Sequence, residues 1–202
     1  MFTDKEIKFL KSLNTPAKVQ DYLNSIPFNF EKNGVDTIKS PLRSMREKNV
    51  HCFEGALLGA FILSLNGYKH MLLHLKTTKH DLDHVITLFK VGEYWGALSK
   101  TNHNILRYRE PVYKNVRELV MSYFHEYFLN DGAKTLRSYS EPLDLSKLKK
   151  GWEVSLEDLW IMDRALDQKN HHDIVPKALR NRLRKADKIE VLGGMREEYK
   201  KK

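Results

Sequence analysis

A chain of 202 residues with 41% hydrophobic and 30% charged residues is long and apolar enough to bury one full core, which excludes a disordered or fibrous protein. No apolar run reaches the roughly 20 residues of a membrane span, so no membrane partner is expected. The net charge of +9 attracts polyanions in general. Its lysines and arginines are spread along the chain, however, and crowd only at Lys177–Lys188 and in the Lys200–Lys202 tail. No aromatics interleave those runs, so nucleic acid is not an expected partner.

In chain order, Thr3–Ser12 reads as a short helix with Thr3 as N-cap and Glu6 three residues on. Its sequence, MFTDKEIKFLKSLN, lacks the apolar core of a signal peptide, so a cytoplasmic location is expected. Thr15 and Pro16 open a second helix whose face is Val19, Leu23 and Ile26. Pro27 ends it, and a loop runs to Pro41, where a short helical turn to Lys48 is expected. Cys52–Asn66 (CFEGALLGAFILSLN) is apolar on nearly every side and should be a buried helix. Gly55 and Gly59 give it one small face, and Asn66–Gly67 stops it. Strands are expected within Tyr68–Lys76, over His84–Val91 and over Tyr94–Ser99, the last two forming a hairpin at Gly92.

The second half reads as helical again. Val112–Leu129 carries Val116, Leu119, Val120, Tyr123, Phe124, Tyr127 and Phe128 at helical spacing, most simply as packing against the sheet. Residues 133–154 read as irregular. Ser155 with Asp158 resembles a capping box opening a helix to about Asp167. Pro176–Ile189 is expected as a basic helix that docks through Leu179, Leu183 and Ala186, and Gly193–Lys202 as a frayed tail. The expected division is a core with N-terminal helices over 1–150 and a helical extension over 151–202.

Cys52 is the only cysteine, so no internal disulfide can form. Asn49 could cap the buried helix, which puts Cys52 in its first turn, where the helix dipole lowers a thiol's pKa. A histidine can take the thiol proton, and His84 opens the strand that follows. The segments TPAKVQDYLNSIPFNFE, HCFEGALLGAFILSLNGYKHMLLHL and DHVITLFKVGEYWGALSKT resemble the bacterial transglutaminase-like family over roughly residues 15–105. The resemblance implies an α+β papain-like core, with the cysteine-bearing helix packed on an antiparallel sheet. It implies Cys52 as nucleophile and His84 as base, with Trp95 matching the family's tryptophan. Ser99 stands where that family has an aspartate. The implied activity is thiol-dependent acyl transfer or amide hydrolysis on a peptide or protein amide, as a peptidase, deamidase or transglutaminase. The alternative is a binding module that kept the fold and lost turnover. No cofactor or metal is implied, and the sequence does not fix an oligomeric state.

The hairpin decides what orients His84. A two-residue loop of either register leaves Ser99 on the face of His84, because side chains alternate with period two. If Gly92 and Glu93 are the loop, His84 falls opposite Thr101 and Ser99 is its diagonal neighbour. A three-residue loop would bring Lys100 or Asn102 there instead, so Ser99 is the first choice and Asn102 the second. Asp83 precedes His84 and should face away. His51 reads as a flank of Cys52, and Glu54 as complementing the helix dipole. His70, His74, His80 and His84 lack the acidic or thiol spacing of a zinc site. His171–His172–Asp173 reads as an exposed polar loop.

Overall fold

The computed structural model describes residues 1–31, 34–69 and 71–200. Local capping starts the N-terminal helices. The Thr3 hydroxyl accepts from the Glu6 amide, and the Glu6 carboxylate accepts from the Thr3 amide, opening α1 (Asp4–Ser12). Thr15 and Pro16 open α2 (Pro16–Ser25), and Ser40 with Pro41 opens α3 (Pro41–Glu47). Next comes α4 (Cys52–Leu65), buried from Phe53 through Leu63.

Seven strands form one sheet: β1 (Met71–Lys76), β2 (His84–Val91), β3 (Tyr94–Leu98), β4 (Arg109–Tyr113), β5 (Ser138–Ser140), β6 (Leu143–Asp144) and β7 (His171–Asp173). The order is β4-β3-β2-β1-β5-β7, with β6 paired to β1, and every pair is antiparallel. Among the described residues the α-helices after the hairpin are α5 (Val116–Phe124), α6 (Trp160–Asp167) and α7 (Lys188–Gly194).

The sheet separates two apolar layers. Leu72, Val85, Phe89 and Leu98 face α4 and join Leu57, Leu58 and Ile62. Leu73, Leu75, Ile86, Leu88 and Ala97 face the opposite way and pack with Leu119, Val120 and Tyr123 of α5. Helix α4 lies hard against the sheet because its small face allows it. A β-carbon on Gly55 would stand 2.5 Å from the Lys100 Cβ, and one on Gly59 would stand 3.0 Å from the Leu98 side chain. The Thr87 hydroxyl donates to the Ala56 carbonyl at 2.6 Å and fixes the register of helix on strand. Truncating a fully buried leucine here, such as Leu57 or Leu58, should cost about 2–5 kcal/mol.

The second half departs from its local reading. The helix expected over Val112–Leu129 is split. Residues 109–113 pair with β3 as an edge strand, where Pro111 is tolerated, and Asn115 caps α5 by accepting from the Glu118 amide at 2.8 Å. The helix ends at Phe124, so Tyr127 and Phe128 lie beyond it. Residues 133–154 contain β5, β6 and two 3₁₀ turns rather than irregular chain alone. His171–Asp173 is a strand paired with β5, not a free loop. Helix α6 starts at Trp160 without a capping box, since Asp158 is taken by the Arg43 guanidinium and the Ile38 amide.

The basic helix expected over Pro176–Ile189 is a 3₁₀ turn (Lys177–Arg182), an extended stretch and then α7, capped by Asp187 with Glu190. A helix through this segment would align Lys177 with Arg180, and Arg180 with Arg184, as like-charge neighbours. The tail beyond α7 is not frayed through Tyr199. The Asn104 amide donates to the Arg196 carbonyl at 3.2 Å, and the Glu198 amide donates to the Asn102 carbonyl at 2.8 Å. Lys201 and Lys202 lie outside the described residues. Among the described residues no helix is long and apolar enough to cross a membrane.

Candidate active site

Cys52 is the first residue of α4 and is partly exposed. The cap is His51, not Asn49. The His51 Nδ1 accepts from the Phe53 amide at 3.2 Å, and its Nε2–H donates to the Thr37 carbonyl at 2.7 Å. Asn49 instead receives the Lys39 ammonium on its backbone carbonyl, at 2.8 Å, and on its side-chain oxygen. Glu54 does more than complement the helix dipole. It is fully buried and accepts from the amides of His51 (3.1 Å) and Lys39 (3.2 Å), the Thr37 hydroxyl (2.8 Å) and the Asn29 side chain (3.1 Å). One carboxylate thus ties Asn29, Thr37 and Lys39 to the turn that presents the thiol.

His84 opens β2 and is 7% exposed. The hairpin register runs from Val91↔Tyr94 to Thr87↔Leu98, which makes Gly92 and Glu93 the loop. Gly92 has φ +57, as a glycine-first hairpin turn requires. Ser99 therefore falls on the face of His84, and its Oγ lies 2.7 Å from the His84 Nε2. The Ser99 hydroxyl donates onward to the Leu106 carbonyl, so it must accept from His84, which assigns the proton to Nε2. Ser99 is pinned on both sides of its own backbone. Its amide donates to Gln20 Oε1 at 2.9 Å, and its carbonyl accepts from Gln20 Nε2 at 2.8 Å. Leu106 is held at φ +58, a conformation costing a non-glycine residue about 1–2 kcal/mol. The Glu126 carboxylate, 2.7 Å from its amide, and Ser99 at its carbonyl hold it there.

With Nε2 committed to Ser99, Nδ1 is the His84 nitrogen left for the Cys52 thiol. Burial alone would raise the Cys52 thiol. The adjacent His51 and His84 imidazoles outweigh it and bring the thiol well below its ordinary value. Burial disfavours a charged His51, but Cys52, Glu54 and the Thr37 carbonyl push it up to about 9. The Phe53 amide aimed at Nδ1 opposes that protonation, so the capping geometry belongs to the neutral ring. The remaining ring nitrogen of His84 is not taken by a backbone amide.

The other sequence choices separate cleanly. The Asn102 amide is occupied by the tail, its Nδ2 donating to the Tyr199 carbonyl at 2.8 Å and its Oδ1 accepting from the Tyr199 amide at 2.9 Å. It lies beside the site without touching the His84 ring. Asp83 faces away from His84, as the alternation requires. It accepts from His74 Nε2 at 3.2 Å and from the Thr77 amide at 2.7 Å. Burial would raise the Asp83 carboxyl, but His74 and Thr77 hold it at about 2. His74 also meets His171, Nδ1 to Nε2 at 3.3 Å. His80 is exposed, and His70 lies outside the described residues. No cluster of three metal-ligating side chains occurs among the described residues.

Cys52 and His84 border a cleft of about 580 Å³ whose other walls include Phe28, Phe30, Tyr127 and Phe128, with Met195 at the end of α7 and Glu197 from the tail. Sequence reasoning missed His51, Tyr127 and this tail wall. The position of His51 immediately before a helix start was a signal for the first. Tyr127 and the tail reach the site through long-range packing that no local pattern carries.

No protein-family model matches the sequence, and no curated protein matches it. Among solved structures, the chain is similar to Legionella pneumophila LapG in three forms. The calcium-bound form is 17% identical with a TM-score of 0.37, over 46% of this chain and 56% of that one. A second LapG structure is 17% identical with a TM-score of 0.38, over 46% and 58%, and the EGTA-treated form is 18% identical with 0.37, over 46% and 55%. The chain thus spans little more than half the length of these LapG chains. The architecture itself, a buried helix that begins at a cysteine and packs on an antiparallel sheet, is the α+β arrangement expected of a transglutaminase-like core.

Proposed function

We propose that the protein is a transglutaminase-like cysteine hydrolase or acyltransferase acting on a peptide or protein amide, with Cys52 as nucleophile, His84 as base and Ser99 orienting the imidazole. The observation that carries this reading is a thiol at a helix start, held below its ordinary pKa by imidazoles and opening into a cleft. In the proposed reaction the His84 Nδ1 holds the thiol proton while the Cys52 sulfur adds to the amide carbonyl carbon. The carbonyl electron pair moves onto oxygen. The tetrahedral adduct then collapses, the C–N bond breaks, and the amine leaves with the proton from His84. Water, or an amine in acyl transfer, attacks the thioester, loses its proton to His84 and releases the thiol. A single reduced thiol suits a reducing compartment such as the cytoplasm.

A second reading, a binding module with lost turnover, is favoured by one observation: His84 meets a neutral hydroxyl, which supplies no charge to stabilise an imidazolium. Incubation with p-nitrophenyl acetate, followed by intact-mass measurement, separates the two. The hydrolytic reading expects acetylation at Cys52 that clears with time and is absent in Cys52→Ala. No Cys52 acetylation, or an acetyl group that never leaves, contradicts turnover and supports the module.

A further inference from the structure

The reaction proposed above puts negative charge on the former carbonyl oxygen, and the backbone at the start of α4 is short of donors for it. The first amides of a helix have no acceptor within the helix, so the Cys52 N–H is free for this role. The Phe53 N–H is not, because the His51 ring already accepts from it. A second donor must come from elsewhere.

Tyr127 is placed to supply it. The residue lines the cleft with Cys52 and His84 and is 3% exposed. Its hydroxyl is buried and has no hydrogen-bond partner among the described residues. A buried phenol left unpaired is destabilising, so it calls for a partner that arrives later. The nearby carboxylates are bonded to other donors and not to the phenol. Asp81 accepts from the Thr135 hydroxyl, and Asp83 from His74 and Thr77. The backbone of Tyr127 is fixed as well. Its carbonyl accepts from the Thr135 amide at 3.1 Å, and the next residues close a hairpin in which the Leu129 amide donates to the Ala133 carbonyl at 3.0 Å. Burial and the neighbouring Cys52, Asp81 and Asp83 charges push the phenol well above its ordinary value, so it keeps its proton and can only donate to an anion.

We propose that Tyr127 is a further catalytic residue, its hydroxyl donating a hydrogen bond to the substrate carbonyl oxygen as Cys52 adds to the carbonyl carbon. The proton stays on the phenol throughout, and the hydroxyl returns to its unpaired state when product leaves. This inference rests on the acyl-transfer reading.

Two thiol reagents test it with Tyr127→Phe. Attack on p-nitrophenyl acetate passes through an oxyanion, whereas displacement of iodide from iodoacetamide does not. Tyr127→Phe should slow acetylation of Cys52 by about 10²-fold while leaving alkylation within about twofold of wild type. Its melting temperature should hold or rise, since only an unpaired hydroxyl is removed. Unchanged acetylation overturns the inference, as does equal slowing of both reactions, which would make Tyr127 a support for the thiol. A lower melting temperature also overturns it, by revealing a structural partner. Wild type that is alkylated but never acetylated would instead remove the acyl-transfer reading, and this inference with it.

Discussion

Asp83 and His84 are adjacent in the chain yet belong to two different histidine sites. His84 lines the cleft with Cys52 and is held by a neutral hydroxyl, Ser99. Asp83 points to the other side of β2 and holds His74, which meets His171 across the sheet. The Asp83–His74 pair thus lies apart from the thiol, while His84 is held by a hydroxyl and not by a carboxylate. Period-two alternation explains the split, since neighbours at the start of a strand cannot serve the same face. The comparison also shows why a serine suits position 99. Its hydroxyl accepts from His84 and donates to Leu106 at the same time, whereas an aspartate would turn a second acceptor toward the Leu106 carbonyl.

The largest effect should come from the imidazole beside the thiol. His84→Ala should slow Cys52 acetylation by about 10²–10⁴-fold, the range typical of a lost acid–base group. His74→Ala, in the other cluster, should leave the rate near wild type. Equal losses in both would erase the distinction between the sites.

Substitutions at Ser99 come next. Ser99→Ala strips His84 Nε2 of its acceptor and leaves the Leu106 carbonyl unpaired. It should slow acetylation about tenfold and lower unfolding stability by about 1–3 kcal/mol in chemical denaturation. Ser99→Asp should also cost about 1–3 kcal/mol, because the Leu106 carbonyl then faces an acceptor. A Ser99→Asp variant that is both more stable and faster would show that the Leu106 contact does not matter.

The smallest effect on rate belongs to Asp83→Asn, which should acetylate like wild type. Its signature is in stability against pH. The Asp83 carboxyl titrates at about 2 in the fold against 3.8 ordinarily. A depressed carboxyl adds stability that is fully present above the ordinary value and is lost as pH falls through the folded one. Acid denaturation of Asp83→Asn should lack that limb, and an unchanged acid profile would contradict the His74 pairing.

Much of the site was legible in the sequence because it rests on local rules. Thr3, Thr15 and Pro16 placed the first two helices, the all-round apolar run placed α4, and Gly92 set the hairpin register that brings Ser99 to His84. The parts that were not legible depend on distant partners. Residues 109–113 carry apolar residues that also fit a helix, and only pairing with β3 makes them a strand. The three-residue strands β5 and β7 are too short to have a pattern of their own. Asn102 looked like a histidine partner because its true partner, Tyr199, lies 97 residues away. His51 was passed over because a residue on a helix next to Cys52 would point elsewhere, whereas as N-cap it lies just outside the helix.

The central claim is that the His51 and His84 imidazoles hold the Cys52 thiol below its ordinary value and that His84 is needed for this. The rate of Cys52 alkylation by iodoacetamide against pH measures this directly. Wild type should react with its half-maximal rate well below pH 8.5, the ordinary value for a cysteine of about that figure. In His84→Ala the midpoint should move upward, with the rate near neutral pH falling about tenfold or more. Identical profiles for the two proteins, or a wild-type midpoint at the ordinary value, would contradict the account.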